Sequence, residues 1–390
     1  MSEYQYYEFL AIDRPLSEQE LDQVRALSTR AEITPTSFTN EYHWGNFRGD
    51  PTKMVEQLYD AHLYYANWGS RRLVLRLPDT LLRAEAAAPY CAEESLGAWT
   101  RSGHTLLDFS LSPEDGGEWD FETSYTLSAF VGLRAELAAG DLRALYVAWL
   151  AGLTVWGLMD DDEEEYGREL EPPVPAGLAT LTGPQRALAD FLHVDGDLLA
   201  VAAETSGPAT ATAVDKKALA AWIAALPAAE KDTLLLKAAL GTAPQPGLSL
   251  LARYRDASTR SPRSAGERRT AAKLLDAAYR HRTARERLRK EAEAAAQRAR
   301  ALEMSKARDA HLTRLAQDTE QAWRDVDNLI AQKKPAQYDI AVTLLKDLRE
   351  IHARAGTSAE FHQRAAGLGE THRGKPALMR RFDDAGLPSS

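Results

Sequence analysis

Cysteine is almost absent: Cys91 is the only one in 390 residues. A single thiol closes no intramolecular disulfide and cannot build a thiolate-rich zinc site. Long apolar runs are missing as well. The longest, LYVAWLAGLTVWGLM (Leu145–Met159), is shorter than the roughly 20 residues of a membrane span and is punctuated by Gly152 and Gly157. The opening MSEYQYYEFL has neither the basic nor the apolar region of a secretory leader. The phosphate-cradling patterns G-x-x-x-x-G-K-[ST] and G-x-G-x-x-G do not occur, nor do G-x-S-x-G, H-E-x-x-H or C-x-x-C. These absences remove the most legible nucleotide-binding, hydrolase and metalloprotease chemistries. No motif asks for a cofactor or a metal ion, and none is expected. A cytoplasmic location fits all of this.

What is present is a marked separation of charge. The chain carries 47 Lys+Arg against 57 Asp+Glu, a net charge of −10. Residues 1–250 hold 18 basic and 38 acidic side chains, whereas residues 251–316 hold 18 basic and 8 acidic. The remainder is balanced at 11 and 11. An overall negative charge argues against indiscriminate coating of nucleic acid but leaves a local basic patch open. Hydrophobic content of 44% with 27% charged residues is that of a globular chain, and its length calls for two or three folded units. The Ala- and Arg-rich, Lys-poor usage fits a GC-rich bacterial genome.

The N-terminal part alternates between strand and helix signals. Tyr4–Ile12 reads as a strand closed by Asp13-Arg14-Pro15. Ser17 with Glu20 three residues on is a capping box, and Leu21, Val24 and Leu27 follow as an apolar stripe. Ala31–Trp44 is extended. Asp50-Pro51 opens a second helix, on which Met54, Leu58, His62 and Tyr65 recur at helical spacing. Leu73–Leu77 is a strand, Thr80–Ala88 a short helix, and Leu96–Thr100 with Thr105–Leu111 two further strands ending at the turn Pro113–Gly117. Leu127–Leu158 is helical with a break at Gly140-Asp141. The order strand–helix–strand–helix–strand predicts a split βαβ-like unit.

Five segments result. Residues 1–158 form an α+β domain, and 159–175 an acidic, Pro-rich linker containing DDDEEE (Asp160–Glu165). Residues 176–257 form a helical unit, 264–332 a long basic helix, and 336–387 a C-terminal helical hairpin. The predicted fold class is therefore α+β and predominantly helical. On the basic helix, Leu274, Ala278, His281, Arg285, Leu288, Ala292, Ala295, Ala299 and Leu302 step alternately by fours and threes. That is a heptad seam, weakly hydrophobic and shaped for close approach of another helix. Leu344, Leu345, Leu348 and Ile351 are expected to pack on Trp323, Val326 and Ile330.

Two sets of residues are candidates for function. His43, Asp60 and His62 sit among Asn40, Tyr42, Trp44 and Asn67, the best candidate cluster for acid–base catalysis, with His104 and Asp108 a weaker one. His62, on the apolar stripe, reads equally as a core histidine. Arg280, Arg282, Arg285, Arg287, Arg289 and Lys290 lie within eleven residues and could hold a protein partner or phosphates. They also wrap around the helix and can pair internally with glutamates, or dock on an acidic strip of the same chain. The aromatics Tyr4, Tyr6, Tyr7, Phe9, Tyr42, Trp44 and Phe47 could form a base-stacking platform, but ordinary strand core describes them as well.

YQYYEFLAIDRPLS, STRAEITPTSF, YHWGNFRGDP, DAHLYYANWGSRRLVLRLP and EPPVPAGLATLTGPQRALADFL resemble a bacterial family of conserved hypothetical proteins. The stretch from YDIAVTLLKDLREIHARAG to GKPALMRRFDDAGL is similar to the C-terminal helices of bacterial SWIM-type zinc-finger proteins. The C-x-C and C-x-H ligands of that finger are missing, so zinc and zinc-dependent DNA binding do not carry over. What the resemblance implies is a shared setting, DNA-associated or phage-defence systems. The expected role is a non-catalytic interaction or scaffold subunit of a bacterial cytoplasmic complex, with protein partners and self-association through the Ala-rich seam. A nucleic-acid binder using the basic helix and an enzyme with its site in the N-terminal domain are the alternatives left open.

Overall fold

The computed structural model describes residues 3–92, 95–112, 124–156, 169–208, 216–239, 246–259 and 268–388. The chain is α+β, predominantly helical, and divides into two compact units, Met1–Arg285 and Glu286–Ser390.

The first unit is organised by an antiparallel sheet. Strand β1 (Gln5–Leu10) is followed by helix α1 (Glu18–Arg25), β2 (Glu32–Ile33), β3 (Ser37–Tyr42) and α2 (Pro51–Gln57). Then come β4 (Ala61–Ala66), β5 (Arg71–Pro78), α3 (Ala84–Ala87), β6 (Leu96–Arg101) and β7 (His104–Leu111). The sheet order is β2-β3-β1-β4-β5-β7-β6, and every pairing is antiparallel. Local signals place the first helix: Ser17 and Glu20 form the reciprocal capping box, worth about 1 kcal/mol. Asp50 caps α2 with Pro51 in its first turn.

One expected element is different. The helical spacing of Met54, Leu58, His62 and Tyr65 does not extend α2, which stops at Gln57. Residues Ala61–Ala66 form β4 instead, the strand between β1 and β5. AHLYYA is aromatic-rich, and in a pleated strand its side chains serve both faces. His62 and Tyr64 turn to the core that contains Phe9 and Val74, while Leu63 and Tyr65 turn to the opposite one. Burial on both faces overrides the local period.

Helices cover the two faces. On one, α1 and α2 pack over Tyr7, Phe9, Phe38, Val74 and Leu106. On the other lie α4 (Val131–Ala138), α5 (Arg143–Trp156), α6 (Gly183–Phe191) and α7 (Gly196–Glu204), over Leu63, Leu73, Leu75, Leu107 and Phe109. The central helical segment therefore shares its core with the sheet through α6 and α7. Helices α8 (Lys216–Ala225), α9 (Ala228–Ala239) and α10 (Pro246–Thr259) follow. Next is α11 (Ala271–Ala316), 46 residues, whose Ala271, Leu274 and Ala278 belong to the same core. The division between units accordingly falls at Arg285, inside α11, and not at the charge break near residue 250.

The turn Pro113–Gly117 and the acidic run Asp160–Glu165 lie outside the described residues. The end of the expected linker is firmly held. Leu170 bridges to Thr270, and buried Glu171 receives Arg269 Nη2 at 2.7 Å and the Tyr146 hydroxyl at 2.5 Å. Tyr90 donates to the Pro173 carbonyl at 2.8 Å.

In the second unit α11 ends at Ala316 and Asp318 caps α12 (Thr319–Ala331), so the helix expected to run from 264 to 332 is two. Then come α13 (Pro335–Arg354), α14 (Ser358–His372) and α15 (Pro376–Asp384). Trp323, Val326 and Ile330 pack on Leu345 and Leu348 as expected, and Phe361, Leu378 and Phe382 enlarge the hairpin into a four-helix cluster. Among the described residues no helix is long and apolar enough to cross a membrane.

Glu171→Ala would leave Arg269 and Tyr146 facing each other without their shared acceptor. A loss of about 3 kcal/mol is expected in urea unfolding, in line with removal of one member of a buried ion pair.

Candidate functional site

The three residues offered for acid–base chemistry do not form one site. His43 lies on the surface just beyond β3, its ring 5.4 Å from that of Tyr4, with no carboxylate ion pair among the described residues. Asp60 is buried at the start of β4, and its oxygens are occupied. Oδ2 accepts from the backbone N–H of Ile12 and Asp13 at 2.7 and 2.8 Å, while Oδ1 accepts from Arg76 Nε and Nη2 at 3.1 and 2.8 Å. Arg134 closes the network by donating to the Arg76 carbonyl at 2.8 Å and pairing with Asp13. This carboxylate pins the end of β1 to β5 and α4.

His62 is a core residue. Its ring stacks on Phe9 at 4.0 Å and 15°. Nδ1–H donates to the Glu8 carbonyl at 3.1 Å, which fixes the tautomer, and Nε2 has no partner. Complete burial pushes its pKa down to about 3, so it is neutral at physiological pH. The aromatic platform likewise dissolves into core. Tyr7 and Phe9 belong to one apolar core and Tyr6 to the other. Trp44 is exposed at the surface with the Arg30 guanidinium 4.3 Å over its ring. Among the described residues no group of three or more His, Cys, Asp or Glu side chains is placed to hold a metal ion.

The basic helix is divided by its surroundings. Toward its start, His281 and Arg285, four residues apart and hence on one face, both reach Asp197 in the first turn of α7. His281 Nδ1 is 2.8 Å from Asp197 Oδ1, and Arg285 donates through Nε and Nη2 at 2.9 and 2.7 Å. Arg282 pairs with Asp195, the N-cap of the same helix. Asp197 is only 5% exposed. The Arg285 hydrogen bond, joined by that of His281, holds its carboxyl below the usual range. The same construction recurs in the second unit. Arg308 and His311, three apart near the end of α11, meet Asp347 of α13 at 2.5 and 2.8 Å, and Asp347 is 4% exposed.

Arg282 and Arg285 are thus engaged inside the first unit. Arg287 and Arg289 make loose i,i+4 contacts with Glu291 and Glu293 at 3.8 and 3.6 Å. Arg280 and Lys290 have no ion pair among the described residues. The stretch from Glu286 to Ala307 is exposed nearly all round, including Leu288 at 62%, Leu302 at 56% and Met304 at 74%. The heptad seam is covered where Leu274 and Ala278 enter the core of the first unit and bare from Leu288 to Leu302; Leu312, past the end of that seam, is buried in the second unit. This bare seam is the candidate site.

Residue counting missed Asp197 and Asp347. Each carried a signal: Asp197 follows an Asp-Gly N-cap, and Asp347 interrupts the apolar stripe Leu344, Leu345, Leu348. Comparison with protein-family models, curated proteins and solved structures gives no match.

His62 supplies a pH test. The unfolded chain takes up its proton near pH 6.5, the folded protein only near 3, so acid favours unfolding across that window. Stability should fall by up to about 1.4 kcal/mol per pH unit from this group, and His62→Phe should flatten the slope between about pH 6 and 4.5. Equal slopes in urea titrations of the two proteins would contradict the core assignment.

Proposed function

We propose that this chain is a non-catalytic interaction protein whose docking element is the bare stretch Glu286–Ala307 of α11, and that the element pairs with its counterpart in a second copy. The observation that carries the reading is a seam that is covered at Leu274 and Ala278 and bare from Leu288 to Leu302. Leu288, Ala292, Ala295, Ala299 and Leu302 occupy alternating d and a positions, with Leu288 and Leu302 more than half exposed. A stretch rich in Ala, Glu and Arg stays helical without packing, so it can present this face preformed.

Charge and shape favour an antiparallel pair. Leu288 then lies opposite Ala299 of the second copy, so large meets small there, and Ala292 lies opposite Ala295, which lets the helices approach closely. Glu291 and Arg298 flank the seam on the same side, and in this register each Glu291 faces the other copy's Arg298, giving two attractive pairs by symmetry. A parallel pair stacks Leu on Leu and Ala on Ala and leaves uneven separation. The basic residues Arg287, Arg289 and Lys290 remain at the margins of the paired helices, where a complex could recruit further acidic partners. The resemblance to bacterial hypothetical proteins and SWIM-associated helices supports extending the proposal to a scaffold in a bacterial cytoplasmic complex, DNA-associated or of phage-defence type.

Sedimentation velocity over a range of concentrations tests the pairing. The protein should show a reversible monomer–dimer equilibrium, and Ala295→Glu, which buries a charge in the seam, should leave it monomeric. Glu291→Arg and Arg298→Glu should each weaken the dimer by about tenfold, and the double exchange should restore it. A monomer at every concentration, or a dimer indifferent to Ala295→Glu, would overturn the proposal. Duplex DNA binding that weakens steeply with salt and is lost on reversing Arg287, Arg289 and Lys290 would replace the protein partner with nucleic acid.

A further inference from the structure

The second unit contains a cleft of about 570 Å³ that lies apart from the bare seam. Its wall is built from the end of α11, one face of α13 and the start of α14: Arg308, Lys346, Arg349, Glu350, Ser358 and His362, with Ala353 and Phe361 as apolar floor. That size suits a small molecule.

The wall has surplus positive charge. Three cations face one carboxylate, Glu350, which is already taken by Arg308 Nη2 at 2.8 Å and Arg354 Nη2 at 2.6 Å. Behind these, Asp347 pairs with Arg308, and Arg354 is shared between Glu350 and Asp309, so four cations meet three carboxylates in all. Arg349 is fixed by donating Nη1 to the carbonyls of Ala385 and Gly386 at 3.1 and 3.2 Å. Lys346 is exposed and has no ion pair or hydrogen bond among the described residues.

The backbone adds donors at the same place. Thr357, the N-cap of α14, makes no side-chain cap, because its hydroxyl meets His352 Nδ1 at 2.8 Å. The N–H groups of Ser358 and Ala359 therefore have no acceptor among the described residues, and the positive end of a 15-residue helix opens beside the cations. His362 uses Nδ1 on the Ser358 carbonyl at 2.7 Å, which leaves Nε2 unengaged.

We infer that this cleft binds a phosphate monoester whose ester group is small and apolar or aromatic. A phosphate group suits the net positive wall and Lys346, unpaired among the described residues, and its three oxygens suit donors arriving from Arg308, Lys346 and the α14 N-terminus. The ester group would rest on Ala353 and Phe361. A bare inorganic anion would leave that floor unused, and a neutral phenol would leave the donors unused.

Calorimetric titration of the full chain with phenyl phosphate, inorganic phosphate and phenol tests this. Phenyl phosphate should bind most tightly, inorganic phosphate more weakly and phenol not at all, with affinity falling as salt rises. Lys346→Glu should cost about tenfold or more. Ser358→Glu supplies a carboxylate to the same helix N-terminus, a change that favours the helix, and should block phenyl phosphate without loss of fold. No heat with phenyl phosphate, equal affinity for inorganic phosphate, or binding unchanged in both variants would overturn the inference.

Discussion

A carboxylate inside an apolar core is tolerated only when cations and hydrogen-bond donors compensate it, and two such carboxylates govern α11. Asp197 gathers His281 and Arg285, and Asp347 gathers Arg308 and His311. In each case a histidine and an arginine, spaced to share a helix face, converge on one buried aspartate, and at Asp197 Arg282 adds a third contact at 3.5 Å. The helix needs such anchors. Its seam is mostly alanine, so apolar burial alone contributes little per turn. The leucines that do bury, Leu274 in one unit and Leu312 in the other, lie within two or three turns of an aspartate clamp.

The clamps also decide what remains available. Arg282 and Arg285 look like free phosphate ligands in the sequence, yet they complete the N-terminal turn of α7, where acidic side chains already suit the helix dipole. Between the clamps the helix is held by intrinsic propensity and by exposed pairs such as Arg287–Glu291, worth a few tenths of a kcal/mol each. The result is a helical face that is preformed by propensity and left uncovered along the seam.

Much of this was legible in the sequence where signals are local. The capping box at Ser17, the Asp50-Pro51 helix start, the break at Gly140-Asp141 and the packing of Leu345 and Leu348 on Trp323 and Val326 follow from short-range rules. Strand β4 was not legible, because its residues continue a helical period and only the pairing of His62 with Phe9 and Val74 decides otherwise. The candidate site was half legible. The seam spacing was visible, but which turns were covered depended on Ala271, Leu274 and Ala278 entering the first core. The receptors Asp197 and Asp347 were hidden for the same reason: their roles come from partners more than thirty residues away. His62 and Asp60 drew attention as polar residues and turned out to be structural, since burial and not reactivity explains their environment.

Amide hydrogen exchange along α11 tests most directly whether two clamps leave a bare helix between them. At low concentration residues 271–282 and 308–316 should be protected, while residues 286–307 exchange quickly through local fraying. Raising the concentration should slow exchange in 286–307 and nowhere else on the helix. Strong protection of 286–307 in the dilute monomer, or rapid exchange at 308–316, would contradict the account.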